Sequence, residues 1–240
     1  MFSTIQAAPA YDRDYPGARI SPPETTKGQR MYTPPHFAAG NQTLANLLSN
    51  MGAADLVTVT EDGLTASYIP LIYDPARGEH GSLVGHLARE NDQWKRPPLG
   101  DALAIVHGEN GYVTPSWYAS KAEHGRVVPT WNYVTAHIYG QLIVHDDLAW
   151  MQALVRRLTE RHEGEREHPW SVDDAPAEFI AGRLRDTVGV EILISRIEAK
   201  AKLSQNRPAA DVEGVVDGLE HDGAHRLAQA VRDAQSEAKA

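Results

Sequence analysis

Asp55-Leu56-Val57-Thr58-Val59-Thr60, then Glu61-Asp62-Gly63, then Leu64 through Tyr73, is the stretch on which the fold turns. Two runs rich in β-branched and aromatic residues flank an Asp-Gly pair, a strong short-range signal for a hairpin. Outward from it the pattern continues. Asp74 to Gly78 turns the chain, and Ser82 to Leu87 reads as a third strand. Ala102 to His107 is strand-like, Gly108 to Gly111 is expected to turn, and Tyr112 to Pro115 to pair back. A loop with Lys121, His124 and Gly125 precedes a long strand from Trp131 to Val144, bent at Gly140. Val188 to Ala199 reads as the last strand.

Helical periodicity appears at Leu44 to Met51 and from Asp146 or Asp147 to His162. It also appears at Ala177 to Arg185, Pro208 to Leu219 and His225 to Ala238, and a short helix is expected over Ala88 to Lys95. Strands do not alternate with helices, so a doubly wound parallel sheet is disfavoured. The pattern predicts a mostly β, α+β protein: an antiparallel barrel with helices outside it. Residues 1–30 are rich in proline, glycine and charge and read as a flexible leader. Residues 31–219 form the main domain and 220–240 a helical tail.

The 240 residues carry 23 basic and 32 acidic side chains, a net charge of −9. Broad nucleic-acid binding needs a cationic footprint, and this composition argues against one. The absence of cysteine excludes disulfides, thiolate metal sites and Cys nucleophiles. No apolar run is long enough to span a membrane, and the first residues lack a secretory pattern, so a cytoplasmic protein is expected. No glycine-rich phosphate loop, G-x-S-x-G or H-E-x-x-H is present. The 11 histidines show no spacing that suggests a metal centre.

Aromatic residues are sparse, yet Trp117, Trp131, Tyr112, Tyr118 and Tyr133 fall together among Ser, Thr and Asn. Rings beside convergent hydrogen-bonding groups suit a flat ligand with polar edges. The same residues suit a packed core or a subunit interface. Arg89, one turn beyond His86, either holds a phosphate at a helix start or pairs with Glu90 or Asp92. Lys200 to Pro208 is basic in an acidic chain and reads as a surface turn or the wall of an anionic site.

Five tracts in order carry a resemblance. They are Met31 to Phe37 (MYTPPHF), Gly85 to Arg89 with Asn91 and Trp94, Tyr112 to Tyr118 (YVTPSWY), Pro129 to Tyr133 (PTWNY) and Lys202 to Arg207 (KLSQNR). Together they resemble the PaiB family, described as FMN-binding negative transcriptional regulators. The resemblance covers about Met31 to Leu219. It implies a split β-barrel of the pyridoxamine-phosphate-oxidase type and a homodimer with FMN at the subunit interface. It places His86, Leu87, Ala88 and Arg89 at the flavin phosphate, and Ser67, Tyr68 and Pro70 at the ring or ribityl chain. Ser116, Trp117 and Tyr118 would approach from the second subunit, with Trp131 and Asn132 framing the site. Ser204, Gln205 and Arg207 would close it. No residue is required as a general acid or base, so none is expected to be catalytic. Alternatives are a flavin-dependent oxidoreductase and a haem-binding split barrel with His86 as a ligand. A directly DNA-binding repressor using Lys200, Lys202, Arg207 and Arg226 is a third.

Overall fold

In the computed structural model, which describes residues 30–237, the hairpin is the first element of a closed barrel. Strand β1 (Ala53–Thr60) pairs antiparallel with β2 (Gly63–Asp74) from Ala53↔Pro70 to Thr60↔Gly63. Gly63 takes φ 114°, a conformation that glycine alone adopts readily. Four more strands follow: β3 (Ser82–Ala88), β4 (Ala102–Val113), β5 (Thr130–His145) and β6 (Thr187–Lys202). Their order around the barrel is β1-β2-β3-β6-β5-β4, and β1 closes on β4, with every pair antiparallel.

The period-two alternation of the strands fills the interior. Leu56, Leu71, Leu83, Val106, Ile138 and Ile192 are all 0% exposed there. Each such side chain contributes roughly 1.5–3 kcal/mol by leaving water. Three helices, α1 (Asn41–Asn50), α5 (Ala209–His221) and α6 (His225–Glu237), add Leu47, Leu48, Val215, Leu219, Leu227 and Val231 to the same core. The segment after 220 is therefore packed into the core through α6. Two others, α3 (Leu148–Glu163) and α4 (Ala177–Arg185), cover the outside of the barrel. There Met151, Leu154, Leu158 and Leu184 meet Ile72 and Val84. Asp147 caps α3 by accepting from Trp150 N at 2.8 Å.

Several elements depart from the sequence expectation. The segment Gly108 to Gly111 does not turn. β4 runs straight through it beside β5, and the glycines accommodate a bulge between His107 and Asn110. At Gly140 a bulge is present as expected, but the extra residue, Ser195, belongs to β6. A side chain at Gly140 would place its Cβ 2.2 Å from Leu193 O, so this crossing requires glycine. The expected helix over Ala88 to Lys95 shrinks to a 3₁₀ turn, Asp92–Trp94. Asn91 caps that turn by accepting from Gln93 N at 2.9 Å, which diverts the chain before a helix can start. The loop at Lys121 holds a short helix, α2 (Ser120–His124), ended by Gly125 at φ 66°. From Met31 onward the chain is one compact unit, and the expected leader, save Arg30, lies outside the described residues. No helix among the described residues is long and apolar enough to cross a membrane.

Candidate functional site

The residues expected to form one site fall into two groups. The first lies at the ends of β2 and β3. Alternation splits its strand residues: Ser67 sits opposite Leu56 on the face that leads into the core, whereas Tyr68 points out and is 71% exposed. Ser67 Oγ accepts from Asn91 Nδ2 at 2.9 Å. Pro70 is half-buried, and its carbonyl approaches so close to Gly85 that a Cβ there would lie 2.3 Å away. Leu87, at 2% exposure, is a core side chain and Ala88 an exposed one, so neither side chain builds a phosphate cradle.

Arg89 does not stand at a helix start. Its guanidinium donates to Asp146 Oδ2 at 3.1 Å, to Arg185 O at 2.7 Å and to Thr187 O at 3.1 Å. Trp94 Nε1 donates to Arg89 O at 3.1 Å and the Trp94 ring lies 5.8 Å below the cation. The hydrogen bond from Arg89 pulls the Asp146 carboxyl below the usual carboxylate range. Arg89 thus ties the β3 end to the β6 start and to the residue before the α3 cap. Neither Glu90 nor Asp92 is its partner. His86 shares a face with Val84, the face that α3 and α4 cover, and stands opposite Gly189. Burial pushes the His86 imidazole below its usual value. Its Nδ1 is buried without a hydrogen-bond partner among the described residues. A neutral ring of this kind supplies no positive charge to a phosphate, and His86 lines none of the four cavities described.

The second group gathers where β4, β5 and β6 meet α2 and α5. Thr114 caps a 3₁₀ turn, Pro115–Trp117, which presents Ser116 to Lys121 Nζ at 3.1 Å. Trp117 packs on a glycine face of α5: a Cβ at Gly218 would sit 2.2 Å from its ring and one at Gly214 1.9 Å from its carbonyl oxygen. Tyr118 is 3% exposed, and the Arg207 guanidinium lies over its ring at 4.5 Å. Burial raises the phenol above its usual value, against the opposing pull of Arg207. Asn132, fully buried, donates to Ser204 Oγ at 3.0 Å. Ser204 adopts φ 66°, a left-handed conformation costing a non-glycine residue roughly 1–3 kcal/mol. Gln205 holds that turn by accepting from Leu203 N at 2.7 Å and donating to Ala201 O at 2.6 Å. Lys202 donates to Thr130 Oγ1 and to Trp131 O. Trp131 is half exposed, with Nε1 on Asn110 Oδ1 at 3.3 Å and the Tyr112 ring 6.4 Å away.

The barrel order separates the groups. β1 stands between β2 and β4, and β6 between β3 and β5. None of the four cavities described is lined by Arg89 together with Trp117 or Trp131. The sequence reading also missed Asp146 and Lys121 as parts of these groups. Two adjacent aspartates before α3 were a usable signal, since a helix needs only one as cap and the other is left for a cation.

Comparison with known proteins places this architecture. The family described as "Putative FMN-binding domain" matches residues 31–196. A Bacillus subtilis protein named protease synthase and sporulation protein PAI 2 is 29% identical over 210 residues, 85% of this chain and 97% of that one. An uncharacterised protein of Aspergillus fumigatus is 33% identical over 201 residues, 65% of this chain and 76% of its own. Among solved structures, a conserved hypothetical protein of Mycobacterium tuberculosis matches with a TM-score of 0.51 at 11% identity, covering 74% of this chain and 94% of that one. That last likeness concerns the fold alone. The antiparallel split barrel with peripheral helices is therefore as the sequence implied, and the chain belongs to the PaiB family of FMN-binding-type domains.

Proposed function

We propose that this chain binds FMN at the interface of a homodimer, each site joining the first group of one protomer to the second group of its partner. The family match over residues 31–196 carries the reading. The chemistry of the donor set supports it. Lys121, Lys202 and Arg207 contact a hydroxyl, a hydroxyl with a carbonyl, and an aromatic face, with no carboxylate partner among the described residues. Such cations retain their charge for a phosphate. Arg89, held by Asp146, is the weaker candidate. The first group offers the exposed Tyr68 ring to a flavin, on the face of β2 opposite Ser67.

A second copy suits the outward wall of β1, β4 and β5, where Val59, Tyr112 and Trp131 are 47%, 51% and 50% exposed. Val57, Ile105, His137 and Tyr139 continue this wall half-buried. Bound FMN would supply one- or two-electron transfer, while these side chains orient it and shield it from water. The role in transcription that the family description carries fits a flavin-loaded dimer better than direct operator contact. Lys200 is 9% exposed and donates to Tyr32 O, and Arg226 pairs with Glu109, so two of the four cations named for DNA are already engaged. The test is the visible spectrum of the purified protein before and after FMN addition. A bound-flavin spectrum that saturates is expected. No uptake refutes the reading, and a Soret band on haem addition in its place would establish the haem alternative.

A further inference from the structure

A cavity of about 700 Å³ lies at the end of the barrel between α1 and α6. The residues discussed for the flavin leave it unexplained, apart from Tyr68 at its edge. Its floor is core surface: Leu47, Met51, Val134 and Leu203. One wall is a stripe of amides, Gln42, Asn46 and Asn50, which recur every four residues and therefore share a face of α1. The facing wall is α6, with Ala230 and Asp233.

The β4 bulge shapes the mouth. It places Gly108 on the floor, where a Cβ would press Leu47 Cδ1 at 3.0 Å and Val134 Cβ at 3.1 Å. Either side of that glycine, His107 Nε2 meets Asp55 Oδ2 at 3.1 Å and Glu109 meets Arg226 at 3.3 Å. Bulges commonly re-aim side chains beside binding sites. The Glu109 contact occupies the guanidinium on this wall. Two carboxylates remain. Glu237 accepts from Thr43 N and Oγ1 at 3.1 and 2.6 Å, and Asp233 accepts only from Gln229 Nε2 at 2.8 Å among the described residues. The volume falls in the range of small-molecule sites, roughly 300–1,000 Å³.

We propose that this cavity is a binding site for a small organic cation with an apolar body, an aryl- or alkylammonium. Asp233 is the counter-charge, the α1 amides are hydrogen-bond partners, and the core floor takes the hydrocarbon. An anion of the same size meets a negative rim with its one guanidinium already paired. The site requires no flavin, so its failure and that of the FMN reading are separate results.

The test is calorimetric titration of the full chain with three probes sharing one ring: phenethylammonium, phenethyl alcohol and phenylacetate. The ammonium should bind about tenfold more tightly than the carboxylate, with the alcohol between them. Asp233→Asn should weaken the ammonium about fivefold and leave the alcohol unchanged, the scale of an exposed ion pair. Asp233→Lys, on an exposed helix face, should reverse the order of ammonium and carboxylate. Ala230→Trp, checked by circular dichroism, should block all three. Equal or tighter binding of phenylacetate to the native chain overturns the proposal. So does binding that ignores the Asp233 variants, or no binding of any probe. FMN titrated into the same samples reports on the flavin reading alone: a chain that prefers the ammonium and takes up no FMN keeps this site and loses that one.

Discussion

The Arg89 corner and the Lys121–Arg207 end each hold three cations, but the two sets face different things. At the corner, Arg89 meets Asp146, Lys95 meets Asp92 and Arg96 meets Asp62. At the other end, Lys121 meets the Ser116 hydroxyl, Lys202 the Thr130 hydroxyl and a carbonyl, and Arg207 the face of Tyr118. A cation neutralised by a carboxylate of its own chain orders that chain. A cation resting on neutral groups keeps its field for an incoming anion. On the proposed reading, the difference favours phosphate binding by basic residues dispersed over 87 positions, from 121 to 207, over the His86–Arg89 tract to which the family resemblance points.

The largest expected effect tests that assignment. Reversing both charges, Lys121→Glu with Arg207→Glu, should weaken FMN binding about 100-fold or more, on the scale of two lost charge-assisted hydrogen bonds. Fluorescence-quenching titration measures it, with circular dichroism to confirm folding. A change within about threefold, small beside such losses, would return the phosphate to the corner. Next in size is Gly218→Ala. The new Cβ drives into the Trp117 ring, which must shift, so a stability loss of about 1–3 kcal/mol and weaker FMN binding are expected together. Denaturant unfolding and the same titration check both, and full stability with native affinity would free Trp117 from any role at the site.

Arg89→Ala should act oppositely: a lower Tm from the broken tie to Asp146, Arg185 and Thr187, with FMN affinity within about threefold of native, since a cation already paired with a carboxylate adds little to an anion held by Lys121, Lys202 and Arg207. Lost affinity at unchanged Tm would contradict the comparison. The smallest effect concerns pH. Burial lowers the His86 pKa from the ordinary 6.5, so the unfolded chain takes up this proton first as pH falls. The stability associated with the neutral ring is complete above about pH 6.5 and declines as acid approaches the lowered value. His86→Phe should flatten the Tm–pH profile in that window, and an unchanged slope would mean that His86 titrates as a free imidazole.

Much of the barrel was legible because its signals are local. Asp62-Gly63 between alternating runs specified the β1–β2 hairpin, and the spacing of Leu148, Met151, Leu154 and Leu158 specified α3. Gly108 to Gly111 misled because glycine marks a turn and a bulge alike. The choice is made by β5, which lies alongside for the whole length of β4. Arg89 misled for a related reason, since its carboxylate partner is 57 residues away and the near ones at 90 and 92 are not used. Ser67 and Tyr68 were assigned to one site although a strand sends adjacent side chains to opposite faces. The resemblance already put Ser116, Trp117 and Tyr118 on a second subunit; that Trp131, Asn132 and Ser204 to Arg207 gather with them was not legible, because it depends on the strand order of the closed barrel.

The central claim is a flavin shared between two copies of the chain. Size-exclusion chromatography of FMN-saturated protein, with light scattering for mass and absorbance for flavin content, tests it in one elution. The account predicts a single peak at twice the chain mass with one flavin per chain. A monomer peak carrying its full share of flavin, or a dimer peak carrying none, would contradict it.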